Sequence, residues 1–294
     1  MTGRRLTAWL LLTVLLAACL PMAEQSPGPT GVMPTAVQVG TPLPTRIPFP
    51  PGQLVDYIAQ TGDTLPAVAA HFHTTVDEIR QANPGIPDYA TTLPPGYPMR
   101  IPAYYVPLTS LPFPILADSE VVNGPSAVGF DVRSEIESRP GYLSQLSDYA
   151  FRRTRPAWEV IEVVARNYSL HPRLLLTLLE YQTHALTKPF PDEGDETYPL
   201  GYENTRFRGL YRQLLWAAEM LNDGYYGWRM GTLEDFDTRD GFLVRPDPWL
   251  NAGTVALQML FAALEPQEDY QLAISPAGLL QTYLQLWGEP SSYA

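Results

Sequence analysis

A single cysteine, Cys19, stands in 294 residues. One cysteine closes no intrachain disulfide, and its position leaves the body of the chain without a CxxC metal site or a thiol nucleophile. Lysine is nearly absent too: Lys188 is the only one, and arginine carries almost all the positive charge. The balance is 19 basic against 31 acidic residues, a formal net charge of -12. Such a chain repels phosphate backbones and anionic lipid surfaces, which excludes nucleic acid as a partner. Histidine occurs four times, at 71, 73, 171 and 184, without an HExxH pattern. No metal or cofactor is therefore expected, and a zinc peptidase or amidase lacks its ligands. A serine acyl-transfer enzyme lacks its GxSxG elbow. Long hydrophobic runs are missing beyond Ala8–Ala18, which is too short for a comfortable membrane-spanning helix.

What is present begins with MTGRRLTAWLLLTVLLAAC, a basic start followed by an apolar run and small residues. This is the layout of a secretory signal. Its end, Leu16-Ala17-Ala18-Cys19, resembles the lipobox of bacterial lipoproteins. The resemblance implies that residues 1–19 are a lipoprotein signal and lipobox and that Cys19 carries the lipid. Acyl chains there would hold the protein at the outer face of a membrane. Residues 20–53 are rich in Pro, Thr, Gly and Val without apolar periodicity, and read as an extended, partly polyproline tether.

Residues 54–102 read as strand, helix, helix, strand. Tyr57-Ile58-Ala59 begins it and Gly62-Asp63-Thr64 supplies a turn and a helix cap. Leu65, Val68, Ala69 and Phe72 recur at helical spacing. Thr75 caps a second helix that Asn83-Pro84-Gly85 ends, and Met99-Arg100-Ile101 closes the unit. Tyr57, Gly62 to Leu65, Ile79, Asn83-Pro84, Ile86, Leu93, Gly96 and Ile101-Pro102 together resemble the LysM module. The resemblance implies binding to peptidoglycan or another N-acetylglucosamine-containing glycan. The groove would lie between Gly62, Asp63, Thr64 and Leu65 on one side and Asn83, Pro84 and Ile86 on the other. His71-Phe72-His73 has the HxH form, but histidines two apart at a helix end point apart, so it reads as packing.

Residues 103–140, broken by prolines, read as an ordered connector in which Phe130 and Ile136 look buried. From 141 to 294 the pattern is helical. Helices are expected around Tyr142–Tyr149, Trp158–Ala165, Pro172–Thr183, Leu210–Leu221, Asn251–Leu264 and Leu279–Leu286. The predicted class is α+β overall: a small βααβ module plus a larger, mainly α domain. In PRLLLTLLEYQT the apolar run ends in Glu180. A carboxylic acid at the inner end of a buried helix loses hydration and could keep its proton near neutral pH, as glycoside cleavage requires. NYSLHPRLLLTLLEYQT is similar to the first catalytic segment of lysozyme-like lytic transglycosylases. Gly209-Leu210-Tyr211-Arg212-Gln213 and Leu250-Asn251-Ala252-Gly253 resemble two later segments of that family. The family's serine after the catalytic glutamate is here Tyr181. The resemblance implies a lysozyme-like domain with Glu180 as the single acid/base and with Gln213 and Asn251 orienting substrate amides. The acids Asp192, Glu193, Asp195, Glu196 and Glu203 form a loop that reads as solvated. The competing expectation is a non-catalytic peptidoglycan-binding lipoprotein with a degenerate domain of this kind. Either way a monomer is expected, exported and held at the cell wall.

Overall fold

The computed structural model describes residues 49–106 and 108–290. Cys19 and nearly all of the proline-rich stretch lie outside the described residues.

The first strand, β1 (Gln53–Ile58), alternates, with Val55 and Tyr57 turned inward. It pairs antiparallel with β2 (Pro98–Ala103), Val55 opposite Ile101 and Tyr57 opposite Met99. Between them lie α1 (Leu65–His71) and α2 (Val76–Ala82). Thr64 caps α1 by accepting from Ala67 N, and Pro66 sits in the first turn, where a missing N–H costs nothing. The capping box Thr75/Glu78 starts α2, each side chain taking the other residue's backbone N–H. Val55, Tyr57, Leu65, Val68, Phe72, Ile79, Met99 and Ile101 make a core of their own, closed on one side by Trp249.

The segment after β2 does more than connect. Ile115, Leu116, Val121, Val132 and Ile136 are fully buried in the main core. They are carried around the short helices α3 (Asp118–Val121) and α4 (Val132–Glu137). The helix expected near Tyr142–Tyr149 is instead a 3-10 turn, Tyr142–Gln145, leading into a hairpin. Its strands are β3 (Ser147–Ala150) and β4 (Arg153–Pro156). The hairpin turn is Phe151-Arg152, both with positive φ (50° and 68°). Such two-residue turns are normally signalled by Asn-Gly or Asp-Gly, so the sequence offers no cue.

Helix α5 (Ala157–Asn167) precedes α6 (Pro172–Thr183). The long α7 (Leu210–Met230) runs nine residues past the expected end at Leu221. Gly224, in the part of the helix beyond Leu221, is where α7 crosses a neighbour. A Cβ there would lie 2.7 Å from Ala256 Cα. A two-residue ribbon follows, β5 (Phe236–Asp237) against β6 (Leu243–Val244). Then come α8 (Ala252–Leu264), α9 (Gln267–Ala273) and α10 (Leu279–Trp287). Helices α7 and α8 form the main packed pair, α5 lies against α7, and α6 against α10. No helix among the described residues is long and apolar enough to cross a membrane.

Candidate functional site

The first side of the expected glycan groove is tied by backbone to residues 91–93, farther along the loop that begins with Asn83, Pro84 and Ile86. Leu65 N donates to Thr91 O at 2.9 Å, Leu93 N to Asp63 O at 3.3 Å, and Thr64 bridges to Thr92. On the first side, Gly62 adopts φ +82° and is exposed, a conformation a side chain would strain. The Asp63 carboxylate accepts from Tyr57 Oη and Gln60 N, both at 2.7 Å. Burial pushes Asp63 above its usual carboxylate value, against the lowering effect of those two bonds and of Arg229. Leu65 is fully buried and supports the turn from beneath. On the second side, Asn83 donates through Nδ2 to Ile79 O (2.7 Å) and Arg100 O (2.6 Å), and its Oδ1 accepts from Arg100 N (2.8 Å). That clasp fixes the loop after α2 to β2. Pro84 is exposed and Ile86 is buried. The sequence reading did not single out Tyr89, which is 87% exposed on this same loop. Its one signal was an aromatic residue inside PGIPDYATT.

Arg229 reaches the first turn from α7. Its Nη1 donates to Thr61 O, and Nη2 donates to Asp118 Oδ2 and Tyr225 Oη, each at 2.9 Å. His71 is buried and stacks on Trp228 at 3.6 Å, its Nε2 lying 2.9 Å from Trp228 O. His73, four residues before Asp77, is exposed and turned elsewhere, edge-on to Tyr105. Among the described residues no group of three or more His, Cys, Asp or Glu could hold a metal ion.

Glu180 is 6% exposed at the end of α6. Its Oε2 accepts from Leu186 N at 2.8 Å and its Oε1 from Thr187 Oγ1 at 2.6 Å; His184 Nδ1 stands 3.7 Å from Oε1. Both oxygens therefore hold the loop after the helix. That loop is itself bonded to the 3-10 turn, through Gly141 N to Leu186 O and Leu143 N to Ala185 O. Three open clefts, of about 400, 200 and 320 Å³, lie on the helical part, and Glu180 lines none of them. Gln213 is wholly buried, its Oε1 accepting from Leu200 N and Tyr202 N and its Nε2 donating to Tyr202 O and Phe207 O. Asn251 donates to Leu116 O and Asp118 Oδ1 and accepts from Thr254 Oγ1. Both amides are thus committed to the protein's own backbone and side chains, and neither bonds Glu180. Lys188 pairs with Asp192 in the acidic loop. Of the aromatic run 225–228, only Tyr226 is exposed.

Residues 57–102 match the family described as LysM domain, and residues 114–294 match the one described as LasA, N-terminal domain. The chain belongs to the LasA N-terminal domain family. Over the stretch that resembles lytic transglycosylases, the family matched is thus the LasA N-terminal one. No curated protein and no solved structure matches the chain. The start of the LasA N-terminal match at residue 114 agrees with the burial of Ile115 and Leu116, which belong to the helical core. The LysM domain supports peptidoglycan binding and a place at the cell wall outside the cytoplasm.

Proposed function

We propose that this chain is a peptidoglycan-binding protein whose LysM groove grips the glycan strand while the LasA N-terminal domain holds that groove in a fixed orientation. The observation carrying this reading is the backbone pairing of 63–65 with 91–93, which holds the first turn against the loop after α2, in a segment that matches the LysM family. Gly62, Pro84 and Tyr89 are its exposed members, suited to backbone contact with N-acetyl groups and to stacking on a sugar face. Cys19, lipidated, would hold the protein at the outer face of a membrane. Cosedimentation with purified peptidoglycan tests the reading. Wild type is expected in the pellet, with Tyr89→Ala weakened about tenfold, or about 1.4 kcal/mol. Equal recovery of both proteins in the supernatant would sink it.

A second reading, cleavage of the glycan strand with Glu180 as acid/base, is favoured by one observation: a nearly dry carboxylate beside His184 at the end of an apolar helix. The commitment of both its oxygens to the following loop favours the binding reading. Digestion of peptidoglycan, with products identified by mass, separates the two. Release of anhydro or hydrolysed fragments by wild type and none by Glu180→Gln supports catalysis; no release by either leaves binding alone.

A further inference from the structure

The cleft of about 400 Å³ lies at the opposite end of α7 from the LysM contact. It is lined by Leu146, Ser147, Asp148, Glu196, Thr197, Arg208, Gly209 and Leu210. Its size falls within the ~300–1,000 Å³ typical of small-ligand sites. We propose that it is a second glycan-binding site, taking an N-acetylated amino-sugar unit of the same strand. The glycan class rests on the LysM reading above; the site rests on its own chemistry.

The lining carries both signs and both polarities. Asp148 and Glu196 accept from sugar hydroxyls, Arg208 donates to ring and N-acetyl oxygens, and Ser147 and Thr197 do either. Leu146, half-buried at the cleft wall, offers an apolar surface to the C–H face of a ring, and the buried Leu210 backs the cleft from the core. A simple anion or cation would leave one of these charges opposed, whereas a neutral polyol satisfies both. The helix end itself is not the attraction: Asp148 Oδ2 already accepts from Tyr211 N at 2.8 Å in the first turn of α7. Each oxygen of Asp148 makes one such bond, and each keeps room for another donor.

Aromatic rings stand on the hairpin beside the cleft. Phe151 lies 5.0 Å from the ring of Tyr211, the residue whose N–H bonds Asp148, and Tyr149 is 67% exposed. Phe151 is 39% exposed and is held at the turn with positive φ. Helix α7 then sets the span. Its 21 residues separate the cleft from Arg229 and the LysM turn by about 30 Å at 1.5 Å per residue. Two sites at that distance on one compact unit, 42–294, would engage one strand together and raise its apparent affinity.

The test is calorimetry on the full chain with peptide-free GlcNAc–MurNAc oligosaccharides of graded length, and separately with the stem peptide alone. The expected result is two short oligosaccharides per wild-type chain, and at least tenfold tighter binding once a strand spans about 30 Å. The double variant Glu196→Gln/Arg208→Ala changes two exposed side chains. It should melt as wild type does, bind one short oligosaccharide and lose the length-dependent gain. One site per wild-type chain, or a double variant that keeps the gain, overturns the proposal while leaving the LysM reading intact. Binding of the stem peptide that the double variant abolishes would make this a peptide site and also overturn it. Absence of all oligosaccharide binding overturns both readings.

Discussion

At the scale of single residues, the polar side chains nearest the expected chemistry are mostly fastening loops. Glu180 fastens the segment after α6, Asn83 the loop after α2, and Gln213 the turn from 200 to 207. Gln213 is the clearest case, because it is fully buried and its amide makes four bonds to backbone. Gln213→Ala leaves those backbone groups unpaired inside the protein, at about 1–3 kcal/mol for each group left unsatisfied. Net destabilisation of about 4 kcal/mol or more is expected in urea unfolding, with new protease cleavage between 200 and 207 and undiminished peptidoglycan binding. Lost binding at unchanged stability would instead give Gln213 a place in the site.

At the scale of elements, α7 shows two effects with opposite signs. Helix propensity alone favours Ala over Gly by about 1 kcal/mol. At Gly224 the added Cβ would press to 2.7 Å on the backbone of Ala256, which cannot give way as a flexible side chain would. Overpacking of this kind costs about 1–3 kcal/mol, so Gly224→Ala is expected to lower the melting temperature despite its better propensity. The unexpected hairpin also belongs to this scale. Only Ala150 of β3 is buried, so alternation is faint, and a Phe-Arg turn is indistinguishable from loop in a linear reading. Helices with strong apolar stripes, α5, α6 and α8, were legible to within about two residues at each end.

At the scale of the whole molecule, the LysM core and the helical core meet through a few large side chains. His71 stacks on Trp228, Trp249 sits edge-on to Phe72, and Arg229 reaches Thr61. Burial pushes His71 down to about 4 from the ordinary histidine value, its bond to Trp228 O opposing the shift only in part. The folded state therefore resists a proton that the unfolded chain accepts. His71 contributes stability in full above about pH 6.5, and loses it as pH falls toward 4, up to ~3 kcal/mol over that window. Wild type should accordingly lose stability faster than His71→Phe between pH 6.5 and 4. Denaturant melts at several pH values measure the difference; parallel curves would refute this contact as an acid-sensitive joint.

The sequence by itself determined the LysM module, down to its caps and strand pairing, because short-range turn and capping chemistry and a dense pattern of apolar positions suffice for a unit of that size. It also marked Glu180 as buried, since the run preceding it is apolar on nearly every side. Only the tertiary structure decided what that carboxylate touches, for its donors at 186 and 187 are positioned by their pairing with residues 141 and 143. The same holds for the cleft at Asp148, which is assembled from three segments spread over residues 146–210. Contacts between residues far apart in the chain are set by packing and chain closure, which local periodicity does not encode.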